Sequence, residues 1–214
     1  SRERRKKQID FINKKNDVTK ELFNNISINN KYSGKISEFS KFIIQDSIYL
    51  RNSSIEKVDF NDINLIQLEC FDQLNSRSSP ALSLPEKVGF KNLIIHPFGI
   101  SPWKKNNKKC LDLEKLGDGR ILLQLFVRGR PFIGSNYNNE NWVEAIKNLE
   151  NEKRLSGIII YGCPYLYNKI KKTIDYSIPF AYTPCQTEEA QNQILRHILQ
   201  LKISQKNVVQ NFTD

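Results

Sequence analysis

The sequence predicts an α/β protein: a mostly parallel sheet of about five strands with helices on both faces. Three observations carry this. From about residue 62, short apolar runs alternate with polar or helical stretches. Most runs, rich in Ile, Leu, Val and Phe, are nearly continuous rather than alternating, the pattern of strands buried on both faces. Between the later runs lie segments with apolar residues at helical spacing, and strands alternating with helices mean parallel strands with crossover connections.

The expected elements follow in chain order. Residues 3–26 carry Ile9, Ile12, Val18, Leu22 and Ile26 roughly on one helical face, and residues 36–50 carry Ile36, Phe39, Ile43 and Leu50. Two N-terminal helices are expected there, the second entered through Ser33-Gly34. The expected strands are INLIQLECF (63–71), NLIIHPF (92–98), RILLQLFVRG (120–129), GIIIYG (157–162) and IPFAYT (178–183). A helix is expected in NNENWVEAIKNLENEK, with Trp142, Ala145, Ile146 and Leu149 as its apolar stripe. A second opens at Pro164, since Pro suits a first helical turn. A third opens at Thr187 as N-cap, with Glu188 and Glu189 against the helix dipole and Ala190, Ile194, Ile198 and Leu201 as its stripe. The expected organisation is a helical segment or connection over 1–55, a three-layer sandwich of flavodoxin-like form over 56–203, and a tail over 204–214.

Composition bounds the function. The net charge is +10, but the basic residues are scattered among acids, and the densest clusters are RERRKK and KKNNKK. Neither is interleaved with aromatics, and no zinc-finger or RNA-binding signature occurs, so no nucleic-acid partner is expected. No run approaches the roughly 20 apolar residues of a membrane span. The four cysteines make no C-x-x-C pair and the two histidines lie apart. That fits no zinc pattern, so no metal or other cofactor is expected, and the thiols read as reduced residues of a cytoplasmic protein. The chain has no Met, even at its first position, which leaves the true N-terminus and any targeting signal open.

Ligands of parallel sheets gather at the carboxyl edge, where strands end and loops lead into helices. The loops FDQLNSRSSPALSLP (71–85), RGRPFIGSN (128–136), YGCPY (161–165) and TPCQT (183–187) are expected there. They supply the candidate binding or interface residues Asp72, Arg128, Arg130, Tyr161, Cys163, Tyr165 and Gln186. A dinucleotide site is not expected, because DQLNSRSSP lacks the glycines of a pyrophosphate turn. No catalytic residue is assigned. Of the acids considered, Asp112, Glu114 and Asp118 fall in a loop on the amino edge, Glu188 and Glu189 suit a helix start, and Asp72 alone lies just past a strand's carboxyl end. A Cys163 nucleophile would need a general base, and His197 falls inside a helix away from that edge.

VRGRPFIGSN, LSGIIIYGCPYLY and IPFAYTPCQTEEAQNQIL, in that order, resemble the C-terminal domain of bacterial glycoside hydrolase family 3, in particular β-N-acetylglucosaminidase and β-glucosidase-like members. The corresponding residues are Arg128-Gly129-Arg130-Pro131-Phe132, Tyr161-Gly162-Cys163-Pro164-Tyr165, and Ala181-Tyr182 through Gln186, Ala190 and Gln191. The segment SSPALSLPEKVGFKNLIIH (78–96) shares the likeness. Two positions depart from it: Arg130 stands where Asn is commoner, and Cys163 where Ser is commoner. The resemblance implies a parent protein that hydrolyses O-glycosyl bonds of a β-N-acetylhexosaminide or β-glucoside. It also implies an N-terminal (β/α)8 barrel bearing the aspartate nucleophile. No HFPGHG-like stretch occurs, and the chain has no room for a barrel of about 250 residues. This domain is therefore expected to be accessory and non-catalytic. Its expected partners are the barrel of the same protein and carbohydrate. Arg128, Arg130, Tyr165 and Gln186 would form the interface, with Cys163 and Cys185 as small packing residues beneath. A stand-alone flavodoxin-like small-ligand or protein-binding module is the alternative.

Overall fold

The computed structural model describes residues 30–52, 54–55, 58–69, 74, 78–95, 99–128 and 139–201. The expected helix over 3–26 and the tail over 204–214 lie outside them. The chain divides into two compact units, residues 1–43 and 44–214. Helix α1 (Asn30–Ser47) runs across this division, and in the first unit it exposes Phe39 and Phe42.

The second unit holds a six-stranded sheet. Its strands are β1 (Tyr49–Arg51), β2 (Ile63–Gln67), β3 (Lys91–Ile94), β6 (Ile121–Val127), β7 (Leu155–Gly162) and β8 (Phe180–Thr183). A separate hairpin pairs β4 (Trp103–Lys104) with β5 (Asn107–Leu111). The sheet order is β1-β8-β7-β6-β2-β3. Five strands run parallel in four neighbouring pairs, and β1 is an antiparallel edge on β8. The mostly parallel sheet of the sequence prediction is thus present, with one strand more.

Helices α2 (Pro80–Val88) and α5 (Glu188–Ile198) cover one face; α3 (Asn139–Asn151) and α4 (Pro164–Lys171) cover the other. The first face packs Ile66, Leu122, Phe126, Ile159 and Ala181 under Leu82, Ile194 and Ile198. The second packs Leu65, Leu123, Leu125, Ile158 and Ile160 against Trp142, Ala145, Ile146 and Leu149. All seven residues of β6 are buried, which explains a run that is apolar except for Gln124. The stripe expected on α3 is the one that is buried, and Trp142 meets Trp103 of the hairpin edge-on at 5.0 Å. Thr187 caps α5 as expected, its Oγ1 accepting from Ala190 N–H.

Four sequence expectations are corrected. The helix expected over 36–50 ends at Ser47, and residues 49–51 leave it to pair with β8. The sheet therefore takes in residues assigned to the N-terminal segment, upstream of the expected boundary at 56. In the strand, Arg51 donates from Nη2 to Asp175 O at 2.9 Å, and its guanidinium lies against the rings of Tyr176 and Phe180. The loop expected over 71–85 is helical from Pro80 onward, with Pro80 in the first turn and Gly89 closing it in the left-handed region. The first two strands are shorter than expected, ending at Gln67 and Ile94.

Helix α2 is interrupted by its own Pro85, which brings no N–H to the carbonyl of Ala81. The sheet supplies the missing donors. Asn64 Nδ2 reaches Ala81 O at 2.9 Å and Gln124 Nε2 reaches it at 2.8 Å. The buried amides of two strands thus complete the helix above them, satisfying a carbonyl that burial would otherwise leave unpaired.

Candidate functional site

The helices after β2 and β6 leave to opposite faces, so the strand order reverses between these two strands. The crevice for a ligand in an open parallel sheet lies at that point, on the carboxyl edge. Glu69, just past β2, and Arg128, just past β6, meet there: Glu69 Oε2 accepts from Arg128 N–H at 2.8 Å. The Arg128 side chain is exposed. Asp72 and Arg130 lie outside the described residues.

The loops after β7 and β8 stand side by side, since Tyr161 and Thr183 are partners at the strand ends. Two hydrogen bonds join them. Gln186 Nε2 donates to Tyr161 O at 3.0 Å, and Tyr182 OH donates to Gly162 O at 3.3 Å. Gly162 is required at this crossing. It has φ +103°, and a Cβ there would lie 2.4 Å from Val127 O and 2.6 Å from Gln186 Nε2.

The candidate residues separate into three groups. Tyr165 is 68% exposed on the first turn of α4, and with Arg128 it faces outward. Gln186 is half-buried and ties two loops together. Cys163 is buried at the start of α4 and Cys185 is half-buried, with no disulfide between them. Tyr161 is fully buried: its ring stacks on Phe126 at 4.3 Å and its hydroxyl donates to Gln124 Oε1 at 3.0 Å. Burial pushes its phenol well above the ordinary range, so it stays a neutral donor. Tyr161 is thus a core residue rather than part of the exposed edge, a correction to the expected surface.

Below the edge runs a polar ladder that the sequence reading missed. Asn92, Asn64, Gln124 and Tyr161 come from four adjacent strands. Asn64 Nδ2 donates to Asn92 Oδ1 at 2.7 Å, Gln124 Nε2 donates to Asn64 Oδ1 at 2.7 Å, and Tyr161 closes the series. The signal was an amide inside each of two apolar runs, INLIQ and ILLQLFV, since a buried amide must find partners.

A second cluster lies along α4 and β8. Tyr167 stacks on Tyr182 at 4.1 Å, and Lys171 Nζ lies 4.1 Å from the centre of the Tyr49 ring while donating to Tyr167 OH at 3.0 Å. The Tyr182 phenol is raised, first by burial and then by Cys163, Tyr167 and Cys185 nearby. Among the carboxylates described at the carboxyl edge, Glu69 holds Arg128 N–H and Glu189 holds Gln193 Nε2. Among the described residues no group of three or more His, Cys, Asp or Glu could hold a metal ion, and no helix is long and apolar enough to cross a membrane.

Comparison with known proteins covers this sheet. The family model described as bacterial glycosyl hydrolase family 3 C-terminal domain matches residues 54–200, from before β2 to beyond α5. No curated protein matches the chain. Among solved structures, it is similar to zinc-bound CbsA from Thermotoga neapolitana, with 12% identity, a TM-score of 0.39, and coverage of 75% of this chain and 30% of that one. It is also similar to the β-N-acetylglucosaminidase from Thermotoga maritima, with 13% identity, a TM-score of 0.38, and coverage of 74% and 31%. The chain spans less than a third of the length of either protein.

Proposed function

The chain belongs to the bacterial glycosyl hydrolase family 3 C-terminal domain family, and on that premise we propose that it serves as the accessory, non-catalytic α/β domain of a cytoplasmic family 3-like glycosidase. The observation that carries this is the extent of the match, which takes in every parallel strand and all four helices of the sandwich. A domain called C-terminal has another domain before it in the same polypeptide. In this reading that N-terminal domain is a barrel, and it hydrolyses the O-glycosyl bond of a β-N-acetylhexosaminide or β-glucoside.

The carboxyl edge is the surface offered to the barrel and its carbohydrate. Tyr165 and Arg128 are its outward groups among the described residues, and Asp72 and Arg130 stay candidates on sequence alone. Gln186 holds the edge in shape from below. In this reading Glu69 and Glu189 serve structural hydrogen bonds, to Arg128 N–H and Gln193 Nε2. The strand order also suits a stand-alone flavodoxin-like binding module. The upstream reading frame separates the two, since a barrel-sized region there favours the accessory domain.

The activity test uses the chain by itself. It is expected not to hydrolyse p-nitrophenyl β-N-acetylglucosaminide or the matching β-glucoside. Turnover clearly above buffer that disappears in Asp72→Asn would overturn the non-catalytic reading.

A further inference from the structure

The first N–H groups of the helix after the leading strand are the usual anion acceptors of a parallel sheet. In this protein one of them is already taken. Gln191, from α5, presents its Oε1 to the start of α2, where it accepts from Ser79 Oγ at 2.6 Å and from Ala81 N–H at 3.2 Å. Ser79 occupies the N-cap position but makes no capping bond of its own. The helix is capped by a side chain more than 100 residues away in sequence.

The other end of the same amide is also committed. Gln191 Nε2 donates to Gln186 O at 2.9 Å, and the Gln186 side chain in turn donates to Tyr161 O at 3.0 Å. The orientation of the Gln191 amide is fixed, because a backbone N–H can only donate and so demands the oxygen. Gln191 is 1% exposed, and Ser79 and Ala81 are fully buried, so water does not replace these bonds while the fold is closed. Displacing either loop strands polar groups of the other.

We propose that Gln191 couples the start of α2 (residues 79–82) to the loop after β8 (residues 184–187), so that these two parts of the carboxyl edge open as one unit. The inference rests on the hydrogen bonds alone and holds whatever docks on that edge.

Amide hydrogen exchange on the whole chain tests it. In the unmodified protein at low urea, protected amides of the two segments should report one common opening, with the same stability and the same urea dependence. Different urea dependences would overturn the coupling. In Gln191→Ala, amides of both segments should exchange at least about tenfold faster, in keeping with the loss of three modest hydrogen bonds, while those of α3 and α4 keep their rates. Gln191→Glu keeps the acceptor but loses the donor. Ala81 N–H should then stay slow while the loop after β8 speeds up. Leu149→Ala, on the opposite face, controls for general destabilisation. Faster exchange in one segment only in Gln191→Ala, or a uniform rise matching that control, would defeat the proposal.

Discussion

Gln124 is fully buried in the middle of β6, and its amide is the centre of the polar ladder. Its Nε2 serves Asn64 Oδ1 and Ala81 O, and its Oε1 takes the Tyr161 hydroxyl. Gln124→Met keeps the length of the side chain and removes all three bonds. Ala81 O keeps one donor, from Asn64 Nδ2. Two buried groups lose a partner: the Tyr161 hydroxyl and Asn64 Oδ1. Each such orphan costs about 1–3 kcal/mol, so the substitution should destabilise by about 2–6 kcal/mol. Tyr161→Phe by itself orphans Gln124 Oε1 and should cost about 1–3 kcal/mol by the same rule. Combined with Gln124→Met it removes one orphan instead of creating another. The double variant leaves one orphan against three for the singles together, so it should fall short of their sum by at least about 2 kcal/mol, as expected of residues in one hydrogen-bonded network. Urea unfolding followed by circular dichroism reads these values, with an unchanged slope showing that the same surface is exposed. A loss below about 0.5 kcal/mol in Gln124→Met, the range of an ordinary surface change, would refute the reasoning. Strict additivity in the double variant would do the same.

Further outcomes follow from single positions. Gly162→Ala places a residue with a Cβ at φ +103° and against Val127 O, and the backbone conformation alone should cost about 1–3 kcal/mol in thermal or urea unfolding. Wild-type stability in that variant would show that the strand ends have room to spare. Asp175 Oδ1 accepts from Ser177 Oγ at 2.6 Å and from Ser177 N–H at 2.7 Å, and these bonds hold its carboxyl below the ordinary range, the hydroxyl contributing most. A depressed carboxyl stabilises the fold above its unfolded pKa, and that contribution is lost as pH falls through the folded value. Ser177→Ala should move the Asp175 midpoint, followed by NMR, upward toward the ordinary value; an unmoved midpoint would exclude the hydroxyl as the cause.

The sheet was legible because its central strands are buried on both faces. Each of the five parallel strands lies within, or within two residues of, a mostly apolar run, and the stripes of α3 and α5 repeat at helical spacing. The elements missed are those that tertiary contacts decide. Tyr49 and Leu50 continue the phase of α1, yet the free edge of β8 and the slot for Arg51 draw them into a strand. Helix α2 has only nine residues with Pro85 inside, a residue that argues against a helix in sequence, and its open carbonyl is filled from the sheet below. The hairpin β4–β5 is rich in Lys and Asn, residues that strand propensity disfavours.

The candidate site was legible as a set of loops but not as a set of directions. Strand ends are visible in sequence, and YGCPY and TPCQT do lie side by side. Which side chains look outward depends on where the pleat stops. Tyr161 still belongs to the pleat and so continues the face of Ile159, beneath α5. The turn comes one residue later, at Gly162, whose positive φ breaks the alternation and sends Cys163 into the core on the α4 side. Only with Pro164 and Tyr165 does the chain reach the surface. Tyr161 and Tyr165 are the same residue type in one five-residue motif, yet one is a fully buried donor to Gln124 and the other the most exposed aromatic described at this edge. A single glycine between them separates a structural tyrosine from a candidate contact. That is why Tyr165, not Tyr161, is the residue whose substitution should alter what the carboxyl edge can hold.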